Sequence, residues 1–164
     1  MESKLRDAIP DDAAAIARIY NHYVASTIIT FEEEAVSETN MHGRIADILQ
    51  DGLPWIVAVV DGELVGYAYA SRWRVRPAYR FSVESTVYLD PDSTSRGLGS
   101  TLYAALIDRL KQAGRHLVIG GIALPNDASV ALHEKMGFNK VGHFSEVGRK
   151  FDRWLDVGYW ELRI

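Results

Sequence analysis

The segment Ser82-Val-Glu-Ser-Thr-Val-Tyr-Leu-Asp-Pro-Asp-Ser-Thr-Ser-Arg-Gly-Leu-Gly-Ser100 constrains this chain more than any other. An apolar strand runs into a polar loop, the loop closes on Gly97 and Gly99, and a helix begins at once. Such a unit presents the first N–H groups of a helix without intrahelical acceptors, at the end where the dipole favours negative charge. A phosphate suits that place. A carboxylate, Glu84, lies upstream on the same strand. Together they imply an enzyme that holds a phosphorylated cofactor next to a potential base. The plainer alternative is a tight strand-to-helix turn with no ligand, since glycine pairs are common in turns.

Composition narrows the partners. A chain of 164 residues reads as one domain, 1–164, with room for a substantial core. Its net charge of −4 argues against nucleic acid, which needs a basic face. With no cysteine, disulfides, thiolate metal sites and a cysteine nucleophile are excluded, and no metal site is expected. His22 and His42 lie on helical patterns without ligand partners at useful spacing. The charged start (Glu2, Lys4, Arg6, Asp7) shows no signal peptide, and no apolar run reaches membrane-spanning length. A cytoplasmic protein with no membrane partner is the expectation.

Periodicity then orders the elements. Lys4 to Ile9 reads as a strand, and Pro10-Asp11-Asp12 starts a helix that carries Ile16, Ile19, Tyr20 and Tyr23. Ser26 to Phe31 is β-branched and reads as extended. Ser37 to Asp51 is a second helix with Met41, Ile45, Ile48 and Leu49 on one face. Trp55–Asp61 and Glu63–Ser71 are strands joined by a tight Asp61-Gly62 turn. Arg72 to Phe81 is a basic, aromatic loop. After the strand Val83–Leu89, Leu98, Leu102, Leu106 and Leu110 mark a helix that Gly114 ends. His116–Leu124 is a buried strand and Asn126–Met136 a helix. Phe138–Gly142 and Leu155–Ile164 close the chain as strands. The order β-α-α-β-β-β-α-β-α-β-β mixes hairpins with crossovers, so an α/β (α+β) fold is expected, a mixed sheet with helices on both faces.

The glycine loop lacks the Gly-Lys-Ser/Thr ending of a Walker loop. It also departs from a dinucleotide fingerprint, because Leu102 stands where the third glycine belongs. Thr94 to Gly99, taken with Asn126-Asp-Ala-Ser-Val-Ala-Leu-His-Glu-Lys-Met-Gly-Phe138, resembles the GCN5-related N-acetyltransferase (GNAT) family. There the pattern Gln/Arg-x-x-Gly-x-Gly/Ala cradles the pyrophosphate of acetyl-CoA. Gly97 and Gly99 match, and Thr94 departs from Gln/Arg. Val83-Glu-Ser-Thr-Val-Tyr88, Gly97-Leu-Gly-Ser-Thr-Leu-Tyr103 and Val147-Gly-Arg-Lys-Phe-Asp-Arg-Trp-Leu-Asp-Val-Gly-Tyr-Trp160 resemble the phosphinothricin acetyltransferases. A sister group acts on methionine sulfoximine and sulfone.

The resemblance implies a GNAT fold, mostly antiparallel, with a splayed strand pair binding acetyl-CoA as co-substrate. It also implies acetyl transfer to the α-amine of a small amino-acid analogue, detoxification, and a homodimer. Backbone groups of Val87, Tyr88 and Leu89 would pair with the pantetheine arm. Ser95, Arg96, Gly97, Leu98, Gly99 and Ser100 would surround the pyrophosphate. Asn126 and Ser129 would hold the arm, and Asn126 equally suits a helix N-cap. Glu84 is the candidate base for an amine that is protonated at neutral pH; its alternative is an exposed strand glutamate with no role. His133 stands where many relatives have a tyrosine that serves the leaving thiolate; its alternative is a packing histidine. A backbone N–H near Tyr88 would stabilise the oxyanion. For the acceptor, the candidates are Phe31, Arg74, Val75, Arg76, Tyr79, Ser85 and Thr86, with guanidinium forks matched to carboxylate and phosphinate oxygens. Arg72 and Arg80 suit a solvated loop, and Tyr159, Trp154 and Trp160 suit core or dimer contacts. Without cysteine, direct attack is favoured over an acyl-enzyme. A non-catalytic acyl-CoA sensor and a nucleotide-binding Rossmann domain are the rival readings, separated by amine-dependent release of CoA and by NAD binding.

Overall fold

The computed structural model describes residues 3–93 and 97–164. They form β1 (Lys4–Asp7), α1 (Ala13–Ser26), α2 (Glu38–Gln50), β2 (Trp55–Val60), β3 (Glu63–Arg72), β4 (Ser82–Leu89), α3 (Leu98–Gln112), β5 (Leu117–Leu124), α4 (Asp127–Lys135), β6 (Asn139–Lys150) and β7 (Arg153–Arg163), the order read from periodicity. The strands make one sheet in the order β1-β2-β3-β4-β5-β7-β6. Every neighbouring pair is antiparallel except β4 and β5. A parallel pair needs a long crossover, and α3 supplies it.

Both faces of the sheet centre are covered. Trp55 and Val57 of β2 face Ile16, Ile19 and Ile45 of α1 and α2. Ile56 and Ala58 face the other way, towards Leu102, Leu106 and Leu110 of α3. A strand buried on both sides carries a continuous apolar run, which is why β2 reads Trp-Ile-Val-Ala-Val-Val. The three α3 leucines are fully buried, a contribution of about 1.5–3 kcal/mol each. The β2–β3 turn is tight because Asp61 (φ 49°) and Gly62 (φ 85°) both take left-handed backbone, as a type I′ turn requires.

Two expectations are corrected. Ser26 to Phe31 forms no strand. Its hydroxyls bond locally instead: Thr27 Oγ1 donates to the Tyr23 carbonyl (2.8 Å) and accepts from the Ile29 N–H (3.1 Å). Such side-chain bonds compete with strand pairing. The closing hairpin is also much longer than Phe138–Gly142 and Leu155–Ile164. β6 runs to Lys150 and turns through Phe151 and Asp152, both at positive φ with no glycine to signal it. Register shifts at Lys140/Gly142 and Phe144/Gly148 break the alternation that would have marked the strand.

The feature that positions the site is a fork. β4 and β5 pair only at Ser82↔Leu117, Val83↔Val118 and Glu84↔Ile119. β4 stays on β3 as far as Leu89, and β5 stays on β7 as far as Leu124. Each strand is held on its outer side while the inner edges part.

Candidate active site

A cleft of about 430 Å³ opens where β4 and β5 separate. Glu84 sits at the fork, on the last paired rung. Its Oε1 lies 3.5 Å from the position a Cβ would take at Gly121, on the opposite strand. Among the described residues its carboxylate has no hydrogen-bond partner. Burial pushes its pKa up from the ordinary carboxylate value, and the charge of Arg74 opposes that shift. An unpaired, partly desolvated carboxylate in a cleft is poised to take a proton.

Alternation along β4 divides its neighbours. Thr86 and Tyr88 share the side of Glu84, and the Tyr88 ring packs on Tyr20 and Tyr23. Ser85 turns the other way, towards α3. Its Oγ donates to the Ile119 carbonyl (3.4 Å) and so accepts from the Tyr103 hydroxyl (2.5 Å). Val87 and Tyr88 line the cleft. Leu89 lies beyond it, and its carbonyl already accepts from the Tyr23 hydroxyl (2.5 Å). From Ser85 onward the β5-facing edge of β4 has no described strand partner, which leaves an open slot between the two strands.

The turn at the head of α3 lies beside this slot. Gly97 is in the left-handed region (φ 75°), and the Thr101 N–H donates to its carbonyl (3.0 Å). The amides of Leu98, Gly99 and Ser100 therefore belong to the first turn, which a helix leaves without intrahelical acceptors. Gly99 stands at 3.5 Å from Leu132, a side chain of the cleft wall, measured from the Cβ it lacks. Ser95 and Arg96, assigned with them to a diphosphate, lie outside the described residues.

Across the slot, α4 contributes Asn126, Ser129 and His133. Asn126 is the N-cap, accepting from the Ser129 N–H (3.2 Å), and it lines the cleft as well. His133 Nδ1 lies 2.7 Å from the Ser129 carbonyl. A carbonyl only accepts, so Nδ1 carries the proton and Nε2 is bare. Nε2 lies 2.6 Å from the position of a Gly120 Cβ, so only glycine there leaves the ring its place. Burial lowers the His133 pKa, and the bond to Ser129 partly opposes this. The expected result in a ¹H–¹⁵N imidazole titration is an Nδ1–H tautomer for His133 that protonates below the ordinary histidine pKa. An Nε2–H tautomer would refute the assignment.

The acceptor candidates divide. Phe31, Ser85 and Thr86 line the cleft, Ser85 with its hydroxyl already bonded to Tyr103 and Ile119. Arg74 is outside the lining but stacks on Trp73 (4.5 Å), whose ring meets the cleft residue Tyr159 (5.8 Å between centroids). Val75 is 86% exposed, and it, Arg76 and Tyr79 stand on the surface outside the cleft. Arg72 pairs with Asp51 (2.7 Å), and Arg80 lies over Phe81 (4.5 Å). Trp160 is core and Trp154 is surface. Tyr159, read above as a core or dimer residue, instead faces Glu84 over Gly121. The signal that could have located it is the Gly120-Gly121 pair inside a buried strand, a mark of close approach.

The arrangement is a fork with an unpaired carboxylate at its crotch and a helix N-terminus at its mouth. A family model described as "Acetyltransferase (GNAT) domain" matches residues 5–158. The chain belongs to the GNAT acetyltransferases. This N-acetyltransferase is 40% identical over 163 residues to a phosphinothricin N-acetyltransferase of Streptomyces coelicolor, spanning 98% of this chain and 95% of that one. It is 35% identical to an L-methionine sulfoximine/L-methionine sulfone acetyltransferase of Salmonella typhimurium, over 98% and 94% of the two chains. Its structure superposes with a TM-score of 0.96 on a phosphinothricin acetyltransferase of Sinorhizobium meliloti solved in complex with acetyl-CoA. That pair is 37% identical and covers 100% of this chain and 89% of the other. The GNAT acetyltransferase therefore shares sequence with enzymes of two acceptor specificities, and backbone with a phosphinothricin acetyltransferase.

Proposed function

We propose that this enzyme transfers acetyl from acetyl-CoA to the α-amine of a small amino-acid analogue of the phosphinothricin type. The observation that carries this reading is Glu84, unpaired and desolvated at the fork of β4 and β5. The residues present fit the co-substrate. The open edge of β4 at Val87 and Tyr88 suits the pantetheine amides, and the first turn of α3 suits the diphosphate. Asn126 and Ser129 face the same slot. When bound, acetyl-CoA supplies the acyl group and a thiolate leaving group.

The chain's own residues do the remainder. Glu84 takes one proton from the ammonium form of the acceptor, and its raised pKa brings it closer to the pH at which that transfer is efficient. The second nitrogen proton is released as the new amide forms and is balanced by protonation of the thiolate. His133 relays that proton: its bare Nε2, the ring nitrogen not committed to Ser129, accepts it and hands it to the thiolate. Holding both reactants in the fork supplies much of the rate enhancement.

For the acceptor, Phe31 and Tyr159 form apolar walls, and Arg74 places positive charge within reach of Glu84, suited to a carboxylate or phosphinate. Arg76 and Tyr79 extend the same basic loop and are proposed to meet the acceptor at the cleft rim. The enzyme is further proposed to be a cytoplasmic homodimer active in detoxification. The exposed apolar side chains of the β6–β7 hairpin, Val141, Phe144, Val147 and Trp154, support self-association at this edge.

A thiol-release assay tests the reading. Free CoA is expected to accumulate only with an added amine, and with a higher kcat/KM for phosphinothricin than for methionine sulfoximine. The reverse order would move the acceptor to the sulfoximine group, in keeping with the Salmonella relative. Tight acetyl-CoA binding without amine-dependent release would make the protein a sensor.

A further inference from the structure

Residues 27–37, between α1 and α2, carry no regular structure, yet Ile29, Thr30 and Phe31 wall the cleft. The helices hold one side of this loop. Tyr20 Oη lies 2.7 Å from Thr30 Oγ1, Arg44 forks onto Glu32 (2.8 and 2.6 Å), and Asn21 bonds both backbone groups of Val36 (2.9 and 2.8 Å).

The other side is held by the β6–β7 hairpin. Lys150 Nζ donates to the Thr30 carbonyl at 2.8 Å, across 120 positions of sequence. Gly148, two residues back on the same face of β6, has the Phe31 ring in the place of its missing side chain, with ring atoms 2.7 and 2.8 Å from where a Cβ would stand.

Lys150 is 2% exposed. Burying an ammonium is costly, and an apolar side chain of similar length would fill the volume. Burial lowers its pKa while the charge of Glu33 opposes that. Its head also lies 5.1 Å from the Phe151 ring. Among the described residues its hydrogen bond goes to Thr30 alone, the residue between Ile29 and Phe31. The amine's hydrogen bond therefore acts on the cleft wall, beside its contact with the Phe151 ring of the β6–β7 turn.

We propose that Lys150 is a positioning residue for the acceptor: it draws the 27–37 loop onto β6, sets how far Ile29 and Phe31 project into the cleft, and so fixes the size of amine side chain admitted. The acceptor part rests on the acetyltransferase reading above, whereas the tethering does not. The opposite end of the slot, where the first turn of α3 and α4 lie, is built from other elements and is left untouched.

The test uses Lys150→Met, which keeps the volume and removes the donor. Amide exchange in residues 27–37 should accelerate by about tenfold or more while other segments keep their protection. The KM for phosphinothricin should rise about tenfold, with preference shifting towards bulkier analogues, and the acetyl-CoA KM should stay within about twofold. Gly148→Ala leaves Lys150 in place but must displace the Phe31 ring. It should change acceptor preference without changing acetyl-CoA KM, and it decides the matter if Lys150→Met does not fold. Unchanged exchange in 27–37, or the two KM values rising together, would overturn the proposal. So would a Gly148→Ala enzyme with wild-type acceptor preference. If the wild-type enzyme turned over no amine, the acetyltransferase reading would fail, and the exchange measurement would still decide the tether.

Discussion

Replacing Glu84 with glutamine lowers kcat by about 10²- to 10⁴-fold and leaves the acetyl-CoA KM within about twofold. Glutamine keeps the shape and cannot take a proton, so binding survives while deprotonation of the acceptor is lost. The pH dependence changes with it. Burial holds the Glu84 carboxyl protonated to higher pH than an ordinary glutamate, and only the ionised form accepts a proton. Wild-type kcat/KM should therefore fall as pH drops through a pKa above the usual carboxylate value. Glu84→Gln should lose that limb. Stability moves the opposite way. Between the ordinary and the raised pKa, the folded carboxyl keeps a proton that the unfolded one has released. Stability contributed by this site therefore falls as pH rises through that interval. Above it, Glu84→Gln should melt at a higher temperature than wild type, and the difference should disappear in acid. A variant that kept both kcat and the acidic limb would remove Glu84 from the chemistry.

Gly97→Val should give the complementary pattern: an acetyl-CoA KM raised at least about tenfold, with kcat at saturation within about threefold of wild type. Gly97 has φ 75°, and a Cβ there would meet nothing within 4 Å. The effect is thus one of backbone geometry, not of a clash. A left-handed conformation costs an L-residue about 1–2 kcal/mol, and β-branching makes it worse. Relief of that strain re-aims the amides of Leu98, Gly99 and Ser100, which are the groups proposed to meet the diphosphate. Gly97→Ala should lie between wild type and Gly97→Val. An unchanged acetyl-CoA KM in Gly97→Val would take the turn out of the cofactor site.

The parts of the site that were legible in the sequence are those encoded locally. Glu84, Val87 and Tyr88 sit on a strand marked locally by its β-branched and aromatic residues and closed by Asp90-Pro91. Gly97 and Asn126 mark helix starts by residue type alone. Three candidates that line the cleft were placed there too, Phe31 by its position in a Ser/Thr-rich segment, and Ser85 and Thr86 because they adjoin Glu84. Tyr159 was not, because a tyrosine on an alternating strand looks the same whether its face meets core or cavity. β6 was underread for a related reason. Its outer face is exposed, its register shifts twice, and its turn at Phe151-Asp152 uses positive φ without glycine. The basic loop 72–80 stood out by charge, yet Val75, Arg76 and Tyr79 project from the surface outside the cleft.

Taken alone, the residue pattern determined the order of the elements, which faces of α1 and α3 are buried, and the glycine turn that opens α3, since these depend on neighbours a few positions away. Only the tertiary structure decided where β4 and β5 part, and hence that Glu84 is left unpaired at the fork. It also decided which nitrogen of His133 is free, and that Lys150 reaches Thr30. Those outcomes depend on stacking between segments far apart in the chain, and no local periodicity carries information about what a side chain will meet across such a distance.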